Sequence, residues 1–127
     1  MRLTQLGLKA YVVGEPTAPS IDKKDLLVVV SGSGKTETVY DILQEARKKK
    51  AETWCITANK SSKIAKKSQH VILIPAKSKY SHKKSIQPLD SSFEQTTRIF
   101  LDAVILMLMK KTRKNEKDLA KRHTTLE

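Results

Sequence analysis

Apolar residues in this chain fall in short continuous runs, and polar segments rich in glycine, proline and lysine separate them. Residues 26–30 (Leu-Leu-Val-Val-Val), 53–57 and 71–74 form three such runs. Continuous runs of this length predict strands that are buried on both faces, as in the centre of a parallel sheet. A shorter run, residues 10–13, is closed by Gly14 and predicts a first strand.

The segments between these runs have the spacing of helices. Apolar residues three or four positions apart predict a helix over residues 36–50, with positive charge at its C-terminal end. A shorter helix is predicted within residues 61–68. Strands that alternate with helices in this way predict an α/β fold whose parallel strands are joined by right-handed crossovers.

The C-terminal third predicts a loop and then two helices. Residues 77–90 are polar and lack periodicity, which is typical of a loop. A long helix is predicted from Ser91 or Ser92 to about Lys111, and a last short one within residues 115–122. The stretch 99–109 is apolar at every position except Asp102, so we expect helix packing between subunits of a homo-oligomer, a dimer or a tetramer.

Length and composition predict one domain over residues 1–127. The one cysteine, Cys55, lies in an apolar run and is expected to be a small buried hydrophobe rather than a reactive thiol. No charged-then-apolar leader opens the chain, and no apolar stretch reaches the roughly 20 residues that cross a bilayer. We therefore expect a cytoplasmic protein without membrane contact.

The chain has a formal net charge of +12. Its lysines are spread along the sequence, and no aromatic residues interleave with them as in a single-strand-binding surface. We expect the charge to favour an anionic small-molecule substrate rather than nucleic acid. Nucleic-acid binding stays an open alternative, and it predicts strongly salt-dependent affinity.

The segment of residues 31–36, here called the Ser-Gly loop, follows the second predicted strand and precedes a predicted helix. Its glycines, Gly32 and Gly34, would let the backbone turn sharply, and its hydroxyls and amides would bind a phosphate monoester at the positive end of the helix. The hydroxyl donors are Ser31, Ser33 and Thr36. Together these groups would form a pocket of neutral donors for a phosphate monoester.

Two other interpretations of the loop are possible. Gly34-Lys35-Thr36 is similar to the end of a nucleotide-binding P-loop, but that motif needs a glycine where this chain has Val29. The loop could also be a turn that only connects a strand to a helix. Asn59 and Ser61 follow the next strand at the same edge of the sheet, where they could contact a sugar or simply form a turn.

Four segments resemble one known family. Residues 26–36, 56–59, 87–96 and 122–126 are similar to 6-phospho-3-hexuloisomerase, a SIS-domain enzyme. The resemblance implies a three-layer sandwich with a parallel flavodoxin-like sheet, shortened at the N-terminus because the family's first strand and glycine-rich turn are not found. It also implies interconversion of D-arabino-hex-3-ulose 6-phosphate and D-fructose 6-phosphate in formaldehyde fixation by the ribulose monophosphate route.

The resemblance also implies roles for particular residues. Ser31, Ser33 and Thr36 match the phosphate-binding positions, Glu94 the catalytic carboxylate, and His123 a histidine of the C-terminal tail. No cofactor and no metal are expected, and the three histidines share no metal-ligand spacing.

Three points bear on that assignment. Lys35 stands where the family often has an acidic residue. Glu94 could instead cap its helix together with Ser91. Because the family's first strand is missing, the activity of this chain is itself in question, and a non-catalytic sugar-phosphate-binding SIS module is the alternative function.

Overall fold

A computed structural model describes residues 1–77, 87 and 91–125. Their elements, in chain order, are α1 (Arg2–Gln5), β1 (Leu26–Val30), α2 (Glu37–Lys48), β2 (Glu52–Thr57), α3 (Lys63–Lys67), β3 (His70–Leu73), α4 (Ser91–Lys111) and α5 (Glu116–Ala120). The chain forms two compact units, described separately below: a central unit, Ser20–Arg98, and a terminal unit that combines Met1–Pro19 with Ile99–Glu127. The prediction of one domain over residues 1–127 stays a prediction.

The central unit contains a three-stranded parallel sheet in the order β1-β2-β3. Val28 pairs with Trp54, and Trp54 pairs in turn with His70. Helix α2 connects β1 to β2, and α3 connects β2 to β3. The predicted α/β fold with parallel strands is therefore confirmed. The loop predicted over residues 77–90 lies mostly outside the described residues.

One face of this sheet supplies the core. Leu27, Val29 and Cys55 point toward the helices and form a buried cluster with Leu43 and Ala46 of α2 and with Ile64 and Ala65 of α3. Cys55 is fully buried, and burial raises the pKa of its thiol to about 11. Because the thiolate is the reactive form, this thiol is inert at neutral pH, and its prediction as a small buried hydrophobe is confirmed.

The prediction that β1 is buried on both faces is wrong for this chain. Burial alternates along the strand: Leu27 and Val29 are covered, whereas Leu26, Val28 and Val30 are each about half exposed. In the central unit, α2 contacts β1 from the side of the buried pair. A continuous apolar run does not reveal which of its faces the chain itself covers.

The strand predicted over residues 10–13 is also absent. Tyr11, Val12 and Val13 are all more than half exposed, and they lie before a turn in which the amide of Glu15 donates to the carbonyl of Val12. A strand requires a neighbouring strand for its backbone hydrogen bonds. Within the described chain this short run has no such neighbour, so its apolar character does not produce a strand.

The terminal unit packs its two short helices, α1 and α5, against each other. Arg2 forms an ion pair with Asp102, and the Lys114 ammonium donates to the carbonyl of Leu6. Asn115 and Asp118 form a reciprocal capping box at the start of α5. This box lowers the pKa of the Asp118 carboxyl, chiefly because the carboxylate accepts a hydrogen bond from the Asn115 amide.

The long helix α4 has the predicted extent, and its residues 91–98 belong to the central unit. Its apolar stretch is not buried by the described chain. Ile99 and Met107 are each 71% exposed and Leu106 is 66% exposed. The predicted packing of this helix between subunits therefore stays a prediction.

Candidate functional site

The Ser-Gly loop lies at the carboxyl end of β1. The amide of Ser31 extends the sheet by donating to the carbonyl of Ile56 (3.0 Å). The chain then turns at Gly34, whose φ of +64° lies in the left-handed region that favours glycine. The Gly34 amide donates to both the carbonyl and the hydroxyl oxygen of Ser31, each at 3.1 Å. The loop is thus a tight turn closed by the buried Ser31 side chain.

Several backbone amides of this turn donate to no acceptor among the described residues, whereas the Thr36 hydroxyl has that of Ser31 as its partner. Thr36 is the N-cap of α2 but makes no side-chain cap hydrogen bond; its hydroxyl lies 3.4 Å from that of Ser31. Within the described ranges, the amides of Ser33 and Thr36 and the first amides of α2 also donate to no acceptor. Unpaired amides at the positive end of a 12-residue helix are the arrangement that attracts anions, and phosphate binding by this loop stays a prediction. The geometry fits a phosphate group.

The end of β2 and the turn after it donate hydrogen bonds to the Ser-Gly loop. The carbonyl of Gly32 accepts hydrogen bonds from the Thr57 hydroxyl (3.2 Å) and the Ala58 amide (3.1 Å). A methyl group on Gly34 would lie 2.0 Å from the hydroxyl oxygen of Ser62, the N-cap of α3. The sequence pattern did not indicate that Thr57 and Ser62 contact this loop. The available signals were a polar residue at the end of a strand and a serine before a short helix.

Gly32 serves a different purpose from the one predicted. Its φ lies outside the left-handed region, so the backbone does not require glycine there. Instead, a methyl group on Gly32 would lie 3.0 Å from Cδ1 of Phe93 and 3.2 Å from its Cγ. The absence of a side chain makes room for the Phe93 ring, which is only 3% exposed.

Glu94 follows Phe93 directly, in the first turn of α4. Its side chain is exposed, and the contact of Phe93 with Gly32 brings this turn of the helix against the Ser-Gly loop. Ser91 is the first residue of α4, and the alternative that Glu94 caps this helix together with Ser91 stays a prediction. The structure thus brings together the predicted carboxylate helix and the predicted phosphate loop.

The other predicted site residues have less direct support. The Asn59 side-chain oxygen accepts the Ser61 amide at 3.0 Å, so this pair forms the turn that was the alternative to sugar contact. His123 is exposed and belongs to the terminal unit, where Nδ1 lies 3.2 Å from the carbonyl oxygen of Thr124. Its part in the site stays a prediction, as does sugar contact by Asn59 and Ser61.

Charge beside the loop comes from α2 and α3. Lys63 forms an ion pair with Glu37, the first residue of α2, and its ammonium lies 4.6 Å from the centroid of the Tyr40 ring. Lys63 therefore offsets the one acidic side chain in the first turn of α2, where a negative charge would oppose an incoming phosphate. The sequence pattern did not distinguish Lys63 from the other lysines.

The described residues show neither a metal-binding cluster nor a membrane-spanning helix. Among residues 1–77, 87 and 91–125, no group of three histidine, cysteine, aspartate or glutamate side chains is arranged to hold a metal ion. No helix within those same ranges combines the length and apolarity that crossing a membrane requires.

Comparison with known proteins identifies the family. The SIS domain model matches residues 8–107. The 3-hexulose-6-phosphate isomerase of Methanocaldococcus jannaschii is 38% identical over 99% of this chain and 67% of its own length. The enzyme of the same name from Bacillus subtilis is 35% identical over the whole chain and 70% of its own length. This chain thus spans about two thirds of the length of these relatives.

A solved structure gives the same result. The crystal structure of a hypothetical protein from Methanococcus jannaschii, with an inferred molecular function of 3-hexulose-6-phosphate isomerase, superposes with a TM-score of 0.88 at 35% identity. The match covers 99% of this chain and 68% of that one. The chain belongs to the SIS-domain family, and within it to the group that includes the 3-hexulose-6-phosphate isomerases.

Proposed function

We propose that this protein is a sugar-phosphate isomerase that interconverts D-arabino-hex-3-ulose 6-phosphate and D-fructose 6-phosphate. The observation that carries the proposal is the contact between the Ser-Gly loop and the first turn of α4, through Gly32 and Phe93. This contact puts unpaired phosphate-binding donors beside a helix turn that carries Glu94. The relatives named for this reaction support the same substrate.

In the proposed reaction the phosphate is bound by the loop hydroxyls of Ser31, Ser33 and Thr36 and by the amides at the start of α2. The Glu94 carboxylate removes the proton from C2 of the hexulose, which gives a cis-enediolate between C2 and C3 with its negative charge on the C3 oxygen. Glu94 then returns the proton to C3 while a second group moves a proton from the C2 oxygen to the C3 oxygen. We assign that second role to His123.

The proposed reaction consists only of proton transfers, so it uses no oxidant, reductant or cofactor. We further propose that the protein is cytoplasmic and forms a homo-oligomer, a dimer or a tetramer. The exposed apolar residues of α4 support the homo-oligomer, because a second copy of the chain would remove them from water. The ribulose monophosphate route of formaldehyde fixation is the metabolic setting we propose.

Replacing Glu94 by Gln tests the catalytic role. Gln keeps the shape of the side chain but cannot act as the base, so kcat should fall at least about a hundredfold while binding of fructose 6-phosphate is retained. The matched control is Glu45→Gln, an exposed glutamate on α2 that pairs with Lys48; it should keep the original rate. A Glu94→Gln variant with full turnover would show that another group is the base.

Replacing Ser33 by Ala tests the phosphate loop separately. Loss of one hydroxyl donor to a charged phosphate should weaken binding of fructose 6-phosphate about tenfold, as measured by calorimetry. If the protein binds this ligand through Ser33 but shows no turnover, the alternative of a non-catalytic sugar-phosphate-binding module is the correct one. Strongly salt-dependent binding of nucleic acid would favour the remaining alternative.

A further inference from the structure

The contact between Gly32 and Phe93 is tight on both sides. On the loop side, the Gly32 carbonyl is held by the Thr57 hydroxyl and the Ala58 amide. On the helix side, the Phe93 ring is almost fully buried. Three ring carbons lie within 3.4 Å of the place where a methyl group on Gly32 would stand.

This tightness makes the contact sensitive to small changes in volume. A methyl group on Gly32 would require the ring to move by a few tenths of an ångström. The backbone at Gly32 tolerates other residues, so this movement is the main consequence of adding a methyl group. Any shift of the ring also shifts the first turn of α4, because Phe93 and Glu94 are consecutive residues of one helix.

We infer that Phe93 is a positioning residue, whose ring on Gly32 sets the separation between a phosphate bound in the Ser-Gly loop and the Glu94 carboxylate. The inference rests on the proposed function, since it takes Glu94 as the base. Glu94 is exposed, so its position relative to the substrate depends on where its helix turn is held. Proton transfer requires the base within hydrogen-bond distance of the carbon-bound proton, and small displacements lower the rate steeply.

The test is a cycle of four proteins: the original chain, Gly32→Ala, Phe93→Leu and the double variant. Phe100→Leu is the matched control, because it makes the same change two turns further along α4. We expect Gly32→Ala to lower kcat about tenfold, with KM changed less than about threefold. Phe93→Leu should lower kcat by about fivefold, and in its presence the added methyl of Gly32→Ala should cost nothing more. Phe100→Leu should keep the original kcat.

A second readout does not depend on turnover. Hydrogen exchange of the amides of residues 91–98 is measured with and without fructose 6-phosphate in the same proteins. The ligand should slow exchange there in the original chain. Gly32→Ala should remove the protection, and the double variant should regain most of it. A purely structural role for Phe93 would lower thermal stability without moving this ligand-dependent protection or the kcat of the folded protein.

The outcomes separate the inference from the proposed function. If the two single effects on kcat multiply in the double variant, or if neither variant changes kcat, the inference is overturned while the isomerase stands. If fructose 6-phosphate binds without turnover, the isomerase fails and with it the role of Glu94 as the base, and the exchange cycle then decides only whether Phe93 positions this helix turn relative to the bound phosphate. Without any binding of this ligand, both fail.

Discussion

The central and terminal units use similar apolar residues in opposite ways. In the central unit, Leu43 and Ile64 are completely buried between helices and sheet. In the terminal part of α4, Ile99, Leu106 and Met107 are mostly exposed. Burial of an apolar side chain contributes about 1.5–3 kcal/mol, so only the first set stabilises this chain as described. The comparison shows that hydrophobicity identifies residues whose burial would be favourable. It does not show whether the same chain buries them.

The largest expected difference between the units concerns a matched pair of leucines. Leu43→Ala should lower the free energy of unfolding by about 3–4 kcal/mol, because it leaves a cavity in the core. Leu106→Ala, at an exposed position of α4, should change it by less than about 0.5 kcal/mol in the monomer. Urea denaturation measures both. Equal losses that grow with protein concentration would mean that a second copy covers Leu106, which would extend the core across subunits.

A pair of glycines in the left-handed region gives the next largest effect. Gly34→Ala should lower stability by about 3 kcal/mol, since it combines backbone strain with a collision against Ser62. Gly14→Ala has a φ of +95° but meets no atom within 4 Å, so it should lose only the strain contribution of about 1–2 kcal/mol. Thermal unfolding compares the two. If their losses are the same, the loop is not held against α3 as described.

Two threonines, Thr97 in α4 and Thr112 directly after that helix, give the smallest effect. The Thr97 hydroxyl is buried without a hydrogen-bond partner among the described residues, whereas the Thr112 hydroxyl donates to the carbonyl of Leu108 at 2.7 Å. Thr97→Val removes an unpaired polar group at nearly constant shape and should stabilise the chain by about 1 kcal/mol. Thr112→Val, at an exposed position, should change stability by less than about 0.5 kcal/mol. A Thr97→Val variant that is less stable would reveal an acceptor outside the described residues.

The position of the functional loop was predictable because local chemistry specifies it. Glycine and serine between an apolar β-branched run and a helical pattern predict a phosphate-binding turn, and this prediction does not depend on the rest of the fold. The strand at residues 26–30 has the predicted bounds, and the helix predicted from Ser91 or Ser92 to about Lys111 spans Ser91–Lys111. The helix is long and the strand is uniformly apolar, so the residues of each element are sufficient to predict its type and position.

The contacts around that loop were not predictable in the same way. The sequence shows Gly32, Thr57, Ser62 and Phe93 as separate residues, up to 61 positions apart. Only the parallel pairing of β1 with β2, and the return of α4 to the loop, bring them together. The purpose of Gly32 was therefore misjudged, because its neighbour across the fold, not its own backbone, requires glycine.

The failed predictions have the same origin. The runs at residues 10–13 and 26–30 are both apolar, yet only the second is a strand, because only the second has a neighbouring strand in the described chain. By itself the sequence determined the order of the elements from β1 to α5 and the residue types of the Ser-Gly loop, since both depend on residues close together along the chain. Tertiary structure alone decided which apolar faces are covered and which distant side chains support the loop, because burial and long-range contact depend on the whole folded chain.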